Sequence, residues 1–544
     1  MAGLSYFSTL KQEFHGYNLQ RFSKDAMAGL TVAAVALPLA LAFGVSSGAD
    51  AAAGLITAIL SGFVMSLLAG ASYQISGPTG AMTAVLITIV SRYQMQGVFL
   101  ACLMAGILLL LAGIFKIGKL VGFIPAPVIT GFTSGIAIII ALGQVDNFFG
   151  THSEGETAIQ KLMSYGRLGF SPNWQAVLIG LIVVGIMIVY PKKWNSKVPS
   201  SLVGIIVAGI VSRVAGFDVA TVGQIPRTLL PEVRLSLTGI DWQTIQGLLA
   251  PAFTIAALGM IESLLCGASA SRMKKEPFNA DQELLAQGVG NILIPFFGGV
   301  PSTAAIARTS VAIKSGCQTR LTGVIHSVGL LCCMFLLGGV MSELPLAALA
   351  GVLMMTAWRM NEWGAIRYIF GHRFKGAISK FLITMIATVI FDLTVAIVIG
   401  VAFSILLFVV RASNLEVSLS KVDNSRLSSH ADVAANHPDT VVAYITGPIF
   451  FGTVEQFNRQ MQETFSSKKV ILSMRGVASI DMTGAQAVLE YCRNCRNAGI
   501  EIIFCGVQDR IRDFLSRAGI EQLVPANQFF FSVDRALLSE ESAE

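Results

Sequence analysis

The chain has 544 residues, of which 54% are hydrophobic and 13% charged, with a formal net charge of +6 and a mean hydropathy of +0.69. A soluble protein of this length would be about one quarter charged, so the composition excludes a soluble globular protein and predicts a polytopic membrane protein. The positive charge does not indicate nucleic-acid binding, because Lys and Arg lie mainly between apolar segments, where they orient a membrane protein.

Apolar runs follow one another from residue 26 to residue 411, after a polar, amphipathic segment at 1–25. That segment lacks the short apolar core and small-residue cleavage site of a signal peptide, so we do not expect it to be removed. A helix needs about twenty residues to cross a hydrocarbon core of ~30 Å. We therefore predict an α-helical membrane domain with fourteen transmembrane segments. The predicted spans are 27–46, 52–70, 79–93, 97–115, 126–145, 175–190, 201–216, 247–267, 284–297, 302–313, 321–341, 345–358, 377–391 and 393–411.

The charges between the predicted spans indicate their orientation. An even number of spans places both ends of the chain on one side, and a cytoplasmic N-terminus puts the basic connections inside. The longest outer connection, 146–174, carries three acidic residues against two basic ones. The inner basic residues are Lys116, Lys119, Lys192, Lys193, Lys197, Arg272, Lys274, Lys275, Arg359, Arg367, Arg373 and Lys375.

Two sequence matches indicate that the spans form a duplicated unit. FIPAPVITGFTSG resembles ELPLAALAGVLMM, with an offset of 220 residues from Pro125 to Pro345. ISGPTGAMTAVL resembles GGVPSTAAIART, with an offset of 223 residues from Pro78 to Pro301. Pro and Gly are common in membrane helices, but two matches at nearly one offset favour duplication over chance. Because seven spans per unit is an odd number, the two copies are predicted to form an inverted repeat.

Pro78 and Pro301 each precede a span that looks too short to cross the membrane. Proline is favoured in the first turn of a helix, so we predict that each opens a half-helix inside the membrane, after an extended segment. Half-helix N-termini present unpaired N–H groups and the positive end of the dipole to an anion. An inverted repeat would aim the two at each other, which predicts an anion site between them. Small residues there let a ligand approach the backbone: Gly80, Ala81, Ala304 and Ala305.

Arg308 lies seven residues after Pro301, about two turns into the predicted half-helix. A cation in the bilayer costs about 3 kcal/mol or more. Two interpretations follow: Arg308 adds positive potential to the anion site, or it is a structural arginine that snorkels or pairs with a fixed carboxylate.

Glu262 lies in the middle of the long apolar span TIAALGMIESLLCGASA and must be paired, hydrated or protonated. One interpretation is a permanent ion pair with Arg308. The other, which we favour, is a proton relay, because a carboxyl group balanced between burial and a nearby cation can titrate as the site opens and closes. Asp392 and Glu343 fall at span ends and are predicted to be interfacial.

After Arg411 the composition changes. Residues 412–437 are predicted to form a linker and first strand, and 438–544 a small α/β domain on the cytoplasmic side. The β-rich stretches VVAYITGPIFF, KKVILSMRG and GIEIIFCGV alternate with the helical stretches VEQFNRQMQETF, TGAQAVLEYCRNCRNA and DRIRDFLSRAG. No phosphate-binding glycine loop accompanies them, so nucleotide binding is not predicted.

Eight cysteines are scattered along the chain. The C-x-x-C pair of Cys492 and Cys495 has no second pair to complete a zinc site. We interpret the cysteines as reduced, packed thiols and predict neither a metal nor a cofactor.

Six motifs together resemble the SulP sulfate-permease family of anion transporters over nearly the whole chain. The tail resembles the family's STAS domain (sulfate transporter and anti-sigma-factor antagonist). Within the family, the likeness is greatest to bacterial members that take up C4-dicarboxylic acids, especially across 259–326. The motifs are GLTVAAVALPLALAFGVSSG, ISGPTGAMTAV, FIPAPVITGFTSGI, GMIESLLCG, GVGNILIPFFGGVPSTAAIARTSV and DMTGA.

The resemblance implies a fold of seven plus seven spans, divided into a core and a gate domain and shared with uracil permeases. It also implies transport, not enzymatic catalysis, by an elevator-like movement of the core, usually as a homodimer. The family's anion site lies between its third and tenth spans, which here start at Pro78 and Pro301. Carried over, the substrate-binding residues are Phe43, Thr79, Gly80, Ala304, Ala305 and Arg308.

Several positions depart from the family patterns. Relatives that carry bicarbonate with sodium have Asp and Thr four residues apart in the eighth span, where this chain has Glu262 and Cys266. Their Gly-Ala-Thr at the tenth span is Ala304, Ala305 and Ile306 here, so a threonine oxygen is missing. These departures argue against sodium coupling. The resemblance also implies proton coupling through Glu262, because proton-coupled members carry a glutamate at that position.

The STAS motif departs as well. The phosphorylated serine of the antagonists follows the Asp of an Asp-Ser-Ser/Thr-Gly pattern, and this chain has Met482 after Asp481. Phosphorylation there is not expected, and Thr483 is a weak substitute.

The leading hypothesis is a proton-coupled symporter of sulfate or a C4-dicarboxylate in the bacterial inner membrane. Sodium-dependent bicarbonate uptake and anion exchange are alternatives of the same class, and an anion channel is an alternative of another class. The expected partners are an anion and a proton, the lipid bilayer, a second copy of the chain and a soluble protein at the STAS domain. No nucleic acid is expected.

Overall fold

The computed structural model describes residues 6–119, 124–155, 158–191, 194, 198–225, 227–391, 393–422 and 437–541. By internal contacts the chain divides into two units, Met1–Val401 and Ala402–Glu544. Some sequence predictions fall outside the described residues: those for Lys192, Lys193, Lys197, Asp392 and most of the linker, 423–436.

Helices account for nearly all of the regular structure described in the first unit. Among the described residues, six helices are long and apolar enough to cross a bilayer, and four shorter apolar helices accompany them. This confirms a polytopic α-helical membrane protein, while the count of fourteen spans stays a prediction. The helices are α1 (Tyr6–Glu13), α2 (Leu19–Ser46), α3 (Ala51–Leu68), α4 (Gly80–Ile114), α5 (Ala126–Gly143), α6 (Val145–Phe149), α7 (Ala158–Leu168), α8 (Trp174–Val189), α9 (Ser200–Val214), α10 (Trp242–Lys274), α11 (Ala280–Leu293), α12 (Ile306–Lys314), α13 (Leu321–Ser342), α14 (Leu346–Met360), α15 (Trp363–Gly371), α16 (Lys375–Ile390) and α17 (Leu393–Ala412), the last of which crosses into the second unit.

Local sequence explains where several of these helices begin. Asp50 caps α3 by accepting a hydrogen bond from the Ala53 N–H (2.6 Å), which pairs a donor that the first turn leaves free. Pro125 and Pro345 occupy the same position, immediately before α5 and α14, with nearly equal φ angles of −66° and −64°. Both prolines of the sequence match therefore stand directly before a helix.

The predicted break between the third and fourth spans lies inside α4. Gln94 has φ 55° and ψ −166°, which interrupts the helix and leaves two helical arms. A residue with a side chain rarely adopts a positive φ, so Gln94 marks a backbone position that the surrounding packing enforces.

Two short extended segments lie between helices of the first unit. Strand β1 (Ser76–Gly77) precedes α4, and strand β2 (Thr303–Ala304) precedes α12. They pair antiparallel, with Ser76 opposite Ala304 and Gly77 opposite Thr303. The predicted extended segments before two half-helices are therefore present.

The second unit contains a five-stranded sheet in the order β3-β4-β5-β6-β7. Strand β3 is antiparallel to β4, and the remaining pairs are parallel, as alternation of strands and helices predicts. The strands are β3 (Glu416–Lys421), β4 (Thr440–Thr446), β5 (Lys469–Gly476), β6 (Glu501–Cys505) and β7 (Phe529–Phe530), and the helices are α18 (Val454–Met461), α19 (Met482–Asn497), α20 (Asp509–Ala518) and α21 (Val533–Glu541).

Cys492 and Cys495 are free, buried thiols on α19. Burial raises the pKa of both thiols, which disfavours the reactive thiolate. Across the part of the chain that the structure describes, no cluster of three or more His, Cys, Asp or Glu residues is arranged to hold a metal ion.

Close packing of α2 against α3 depends on glycine. A Cβ added at Gly54 would lie 2.1 Å from the Ala40 carbonyl oxygen and 2.8 Å from the Gly44 backbone. Because backbone atoms cannot rotate away, any side chain at this position would separate the two helices.

We therefore predict that Gly54→Ala destabilises the membrane unit by about 1–3 kcal/mol, the usual range for overpacking. The measurement is the apparent melting temperature of the detergent-solubilised protein. Gly185→Ala on α8 is the matched control, because a Cβ there meets no atom within 4 Å. Equal melting temperatures for the two variants would contradict the prediction.

Candidate anion-binding site

The antiparallel pair of β1 and β2, which we call the crossing, brings two helix N-termini together. All four strand residues are buried, and the Ala305 N–H donates to the Ile75 carbonyl (2.9 Å). Helix α4 begins three residues after β1, and α12 begins two residues after β2. Neither Thr79 nor Ala305 caps its helix with a side chain, so the first N–H groups of both helices, which have no partner within the helix, lack a side-chain cap beside the crossing.

The predicted role of the two prolines is wrong in detail. Neither lies in the first turn of a helix: α4 begins at Gly80, two residues after Pro78, and α12 begins at Ile306, five residues after Pro301. The helix starts are offset by 226 residues, not by the 223 that separate the prolines. The prolines belong to the extended segments, where their fixed φ and missing N–H are equally acceptable.

This shift moves Arg308 from the second turn of the half-helix to the first, where it is the third residue of α12. Its side chain is 1% exposed, and its Nη2 donates to the Pro78 carbonyl at 3.1 Å. The guanidinium packs so closely on β1 that a Cβ at Gly77 would lie 1.6 Å from Nη1. Arg308 therefore bridges from one half-helix to the extended segment of the other.

Arg308 has no carboxylate partner among the described residues, and its Nε and Nη1 have no hydrogen-bond partner there. Its burial excludes snorkelling, and the predicted alternative of a fixed ion pair with Glu262 is not found in the structure. A buried cation without a counter-ion is costly, so this position favours an anion nearby.

Glu262, on α10, contacts the residue that precedes α4. Its Oε2 accepts a hydrogen bond from the Thr79 hydroxyl at 2.8 Å, and no cation lies within ion-pair distance among the described residues. The residue that precedes α4 and the acid of α10 are thus linked directly. Sequence reasoning selected both residues, for different reasons, but did not predict their contact.

Helix α10 also holds β2, through Ser263. The Ser263 hydroxyl lies 2.8 Å from the Thr303 hydroxyl and accepts from the Ala304 N–H at 3.2 Å. Adjacent residues of one helix therefore contact both extended segments, Glu262 through Thr79 and Ser263 through β2. The same helix fixes the position of the carboxyl group relative to the crossing.

Three buried polar residues on α11 brace the crossing from another side. Asn291 pairs with the Ser302 backbone, donating to its carbonyl at 2.9 Å and accepting from its N–H at 2.8 Å. Gln287 donates to the Ser76 hydroxyl and to Glu283, both at 2.8 Å. Glu283 in turn accepts from the Gly70 N–H at 3.0 Å. We call Glu283, Gln287 and Asn291 the α11 ladder.

The α11 ladder was missed by sequence reasoning. Its signal is present in ELLAQGVGN, where polar residues recur every four positions on one face of an apolar helix. Such a face needs polar partners inside the protein, and only the folded structure identifies them as Gly70, Ser76 of β1 and Ser302, the residue before β2.

A cavity of about 710 Å³ lies next to this arrangement within the first unit. Phe43 and Gly80 line it, as do Thr83, Ile140 and Thr254. The other predicted site residues do not line it: Thr79, Ala304 and Arg308 are buried, and Ala305 is half-buried. Of the predicted site residues, Phe43 and Gly80 thus lie in the cavity wall, and the others lie at the crossing. Gly80 connects the two places, because it lines the cavity and is also the first residue of α4.

A family model of the sulfate permease family matches residues 22–387, more than half of the chain, and a STAS domain model matches residues 433–536. The chain belongs to the sulfate permease family. The resemblance of the six sequence motifs is thereby confirmed, including the STAS domain at the C-terminus.

Relatives of the sulfate permease family match over nearly their whole length. A candidate sulfate transporter of Bacillus subtilis, YvdB, is 34% identical over 95% of this chain and 97% of its own. The bicarbonate transporter BicA of Picosynechococcus is 29% identical over 94% of each chain. This sulfate permease family member is accordingly an anion transporter with several membrane spans, and not an enzyme.

Solved structures agree with this assignment. The transmembrane domain of a cyanobacterial bicarbonate transporter BicA is similar at TM-score 0.65 and 31% identity, covering 71% of this chain and 98% of that one. Murine Solute Carrier 26 family member A9, an anion transporter in the inward-facing state, is similar at TM-score 0.82 and 17% identity, covering 100% of this chain and 96% of that one. At that identity the second likeness supports the fold alone.

The contact between Arg308 and β1 yields a prediction. Gly77→Ala would place a Cβ where Nη1 lies, so the guanidinium must leave the Pro78 carbonyl. A hydrogen bond from a charged group contributes about 1.5–3 kcal/mol, so anion affinity should fall about tenfold or more. The measurement is anion binding to the purified protein by calorimetry.

Gly339→Ala on α13 controls for the added methyl group, because its Cβ would meet no atom within 4 Å. If Gly77→Ala binds anions as the unmodified protein does, the position of Arg308 does not matter for binding.

A second prediction concerns the α11 ladder. Asn291→Leu leaves the Ser302 N–H and carbonyl without their partner, at a cost of about 1–3 kcal/mol for each buried group. We expect lower thermal stability together with weaker anion binding. Gln282→Leu, which removes one bond from α11 to the Leu68 carbonyl, should leave affinity unchanged. Weakening by both variants to the same extent would show that α11 acts only through overall stability.

Proposed function

We propose that the protein is a secondary active transporter that couples the uptake of a divalent anion, sulfate or a C4-dicarboxylate, to protons. The observation that carries this proposal concerns two side chains at the crossing: among the described residues, the Arg308 guanidinium has no carboxylate partner and the Glu262 carboxyl group has no cation partner. An anion compensates the first, and a proton compensates the second.

Arg308 and the two helix N-termini supply the attraction for the anion. The positive ends of α4 and α12 and the guanidinium lie at one crossing, inside an apolar unit where water screens little. The anion is proposed to bind beside Thr79, Gly80, Ala304 and Ala305, with Phe43 closing the cavity side.

Glu262 is the proposed proton-coupling residue. Its contact with Thr79 links its charge state to the residue just before α4, so protonation alters the field felt by the anion. A neutral Glu262 favours the anion, and an ionised Glu262 opposes it, since like charges close together destabilise each other. Binding of the proton and of the anion would thus be mutually favourable, as symport requires.

Sodium coupling is the alternative of the same class. Hard cations take oxygen ligands, whereas Cys266 presents a sulfur that bonds to the Thr309 hydroxyl at 3.4 Å. The thiol thus bonds to a residue of α12 and offers no oxygen ligand. Sodium-dependent bicarbonate uptake and anion exchange therefore stand second, and a channel third.

The remaining parts of the proposal concern assembly. We propose residues 26–411 as the transport domain, 412–437 as the linker and 438–544 as a STAS domain that meets a soluble partner in the cytoplasm. Residues 1–25 would be cytoplasmic, the membrane would be the bacterial plasma membrane, and the transporter would move its core domain like an elevator within a homodimer.

The test is uptake of radiolabelled sulfate, succinate and bicarbonate into proteoliposomes with an inward proton gradient, an inward sodium gradient or neither. We expect accumulation of a divalent anion with the proton gradient alone. Accumulation that requires sodium would replace the proposal by sodium symport, and flux that neither saturates nor follows a second gradient would favour a channel.

We further predict that Glu262→Gln keeps anion binding and loses proton-driven accumulation, because the amide cannot release a proton. Thr79 can still bond to the amide oxygen, so the local geometry is retained. Glu343→Gln is the matched control, since Glu343 pairs with Arg213 on the surface. Normal proton-driven accumulation by Glu262→Gln would remove Glu262 from coupling.

A further inference from the structure

The cavity beside the crossing extends to a second group of charged residues. Phe43 and Gly80 line it near the half-helices, and Arg92, Asp146 and Lys161 line it elsewhere. Gly80 and Arg92 lie on the same arm of α4, twelve residues and therefore about 18 Å apart along the helix axis. The charged end, which we call the cavity mouth, is thus a separate place from the crossing.

Lys161 lies on α7, in the connection 146–174 that the charge distribution predicts to be outside. Among the described residues its ammonium group has neither an ion-pair nor a hydrogen-bond partner. The other basic residue of α7, Arg167, pairs with Glu154 at 2.8 Å and does not line the cavity. Within the part of the chain that the structure describes, α7 therefore carries one basic residue paired with a carboxylate and one, Lys161, that lines the cavity without such a partner.

Asp146 is the acidic residue among those that line the cavity. Its carboxylate is occupied by hydroxyl donors of its own connection: Tyr165 at 2.6 Å, Ser153 at 2.5 Å and Thr151 at 3.4 Å. These bonds hold the connection together and do not involve Lys161. Lys161 and Arg92 are thus the basic residues that line the cavity mouth, and the acidic residue that lines it is bonded within its own connection.

We propose that Lys161, with Arg92, forms a capture site for divalent anions at the cavity mouth, ahead of the site at the crossing. A cleft lined by charge of one sign raises the local concentration and entry rate of the opposite ion about 10- to 1,000-fold. The attraction doubles from a monovalent to a divalent anion. The capture site selects anions by their charge, and the site at the crossing then selects them by their shape. Capture changes the rate at which the anion enters the cavity and does not change the transport step.

This inference rests on the proposed function, because capture is measured through transport. The experiment compares initial rates of uptake from the side of the cavity mouth, for a divalent and a monovalent anion, at several ionic strengths. Lys161→Gln is expected to raise KM for the divalent anion about fivefold or more, with a smaller change for the monovalent one. Vmax should stay the same, and KM should depend less on salt.

Arg167→Gln is the matched control on the same helix and should leave KM unchanged. Lys161→Cys adds a second readout: labelling with a cationic methanethiosulfonate should lower KM again, and labelling with an anionic one should raise it. The unmodified protein receives the same reagents as a control for its native cysteines.

The outcomes separate the two proposals. If the unmodified protein transports none of the anions, the proposed function is overturned. If it transports them and Lys161→Gln keeps the normal KM, or Arg167→Gln raises KM equally, the capture site is overturned and the function stands.

Discussion

The constraint on which the membrane unit depends is that two extended backbone segments must be fully hydrogen-bonded inside an apolar protein. In a hydrocarbon environment no water is available for unpaired N–H and carbonyl groups, so irregular backbone persists only where protein groups pair with it. Strands β1 and β2 pair with each other, Ser263 accepts from the Ala304 N–H, and Asn291 of the α11 ladder accepts from the Ser302 N–H, while Gln287 donates to the Ser76 hydroxyl. Helices α10 and α11 are therefore needed for the crossing to exist.

The positive potential at the crossing follows from this arrangement of the backbone. Interrupting two helices exposes two N-termini, and Arg308 adds a full charge where it can donate to the Pro78 carbonyl. Glu262 faces Thr79 from α10. The two side chains do not pair with each other, and in our proposal an anion compensates Arg308 and a proton compensates Glu262. A transporter benefits from this state, because a site satisfied internally would have little affinity for its substrate.

The second unit obeys ordinary soluble-protein rules. Its parallel strands alternate with helices, and Asp481 caps α19 by accepting from the Gly484 N–H at 2.7 Å, while its other oxygen accepts from the Phe451 N–H at 3.1 Å. Met482, at the position where the resemblance to anti-sigma-factor antagonists implies a phosphorylated serine, is 69% exposed at the start of this helix. The position remains accessible although the acceptor hydroxyl is absent.

The sequence by itself determined the class of protein, its apolar helices, the prolines before α5 and α14, and the α/β tail. It also marked Arg308 and Glu262 as charged residues inside apolar segments. These follow from local signals: composition, periodicity and the energetic cost of a charge in an apolar run. Only the tertiary structure decided where α12 starts and that Glu262 contacts Thr79. It also decided that the Arg308 guanidinium packs on Gly77 and donates to the Pro78 carbonyl, and that the α11 ladder braces the crossing. The contacts of Glu262 with Thr79, of Arg308 with Pro78 and of Gln287 with Ser76 join residues 183, 230 and 211 positions apart. A linear pattern can mark a residue as expensive to bury, but which partner meets that cost depends on the geometry of packed helices.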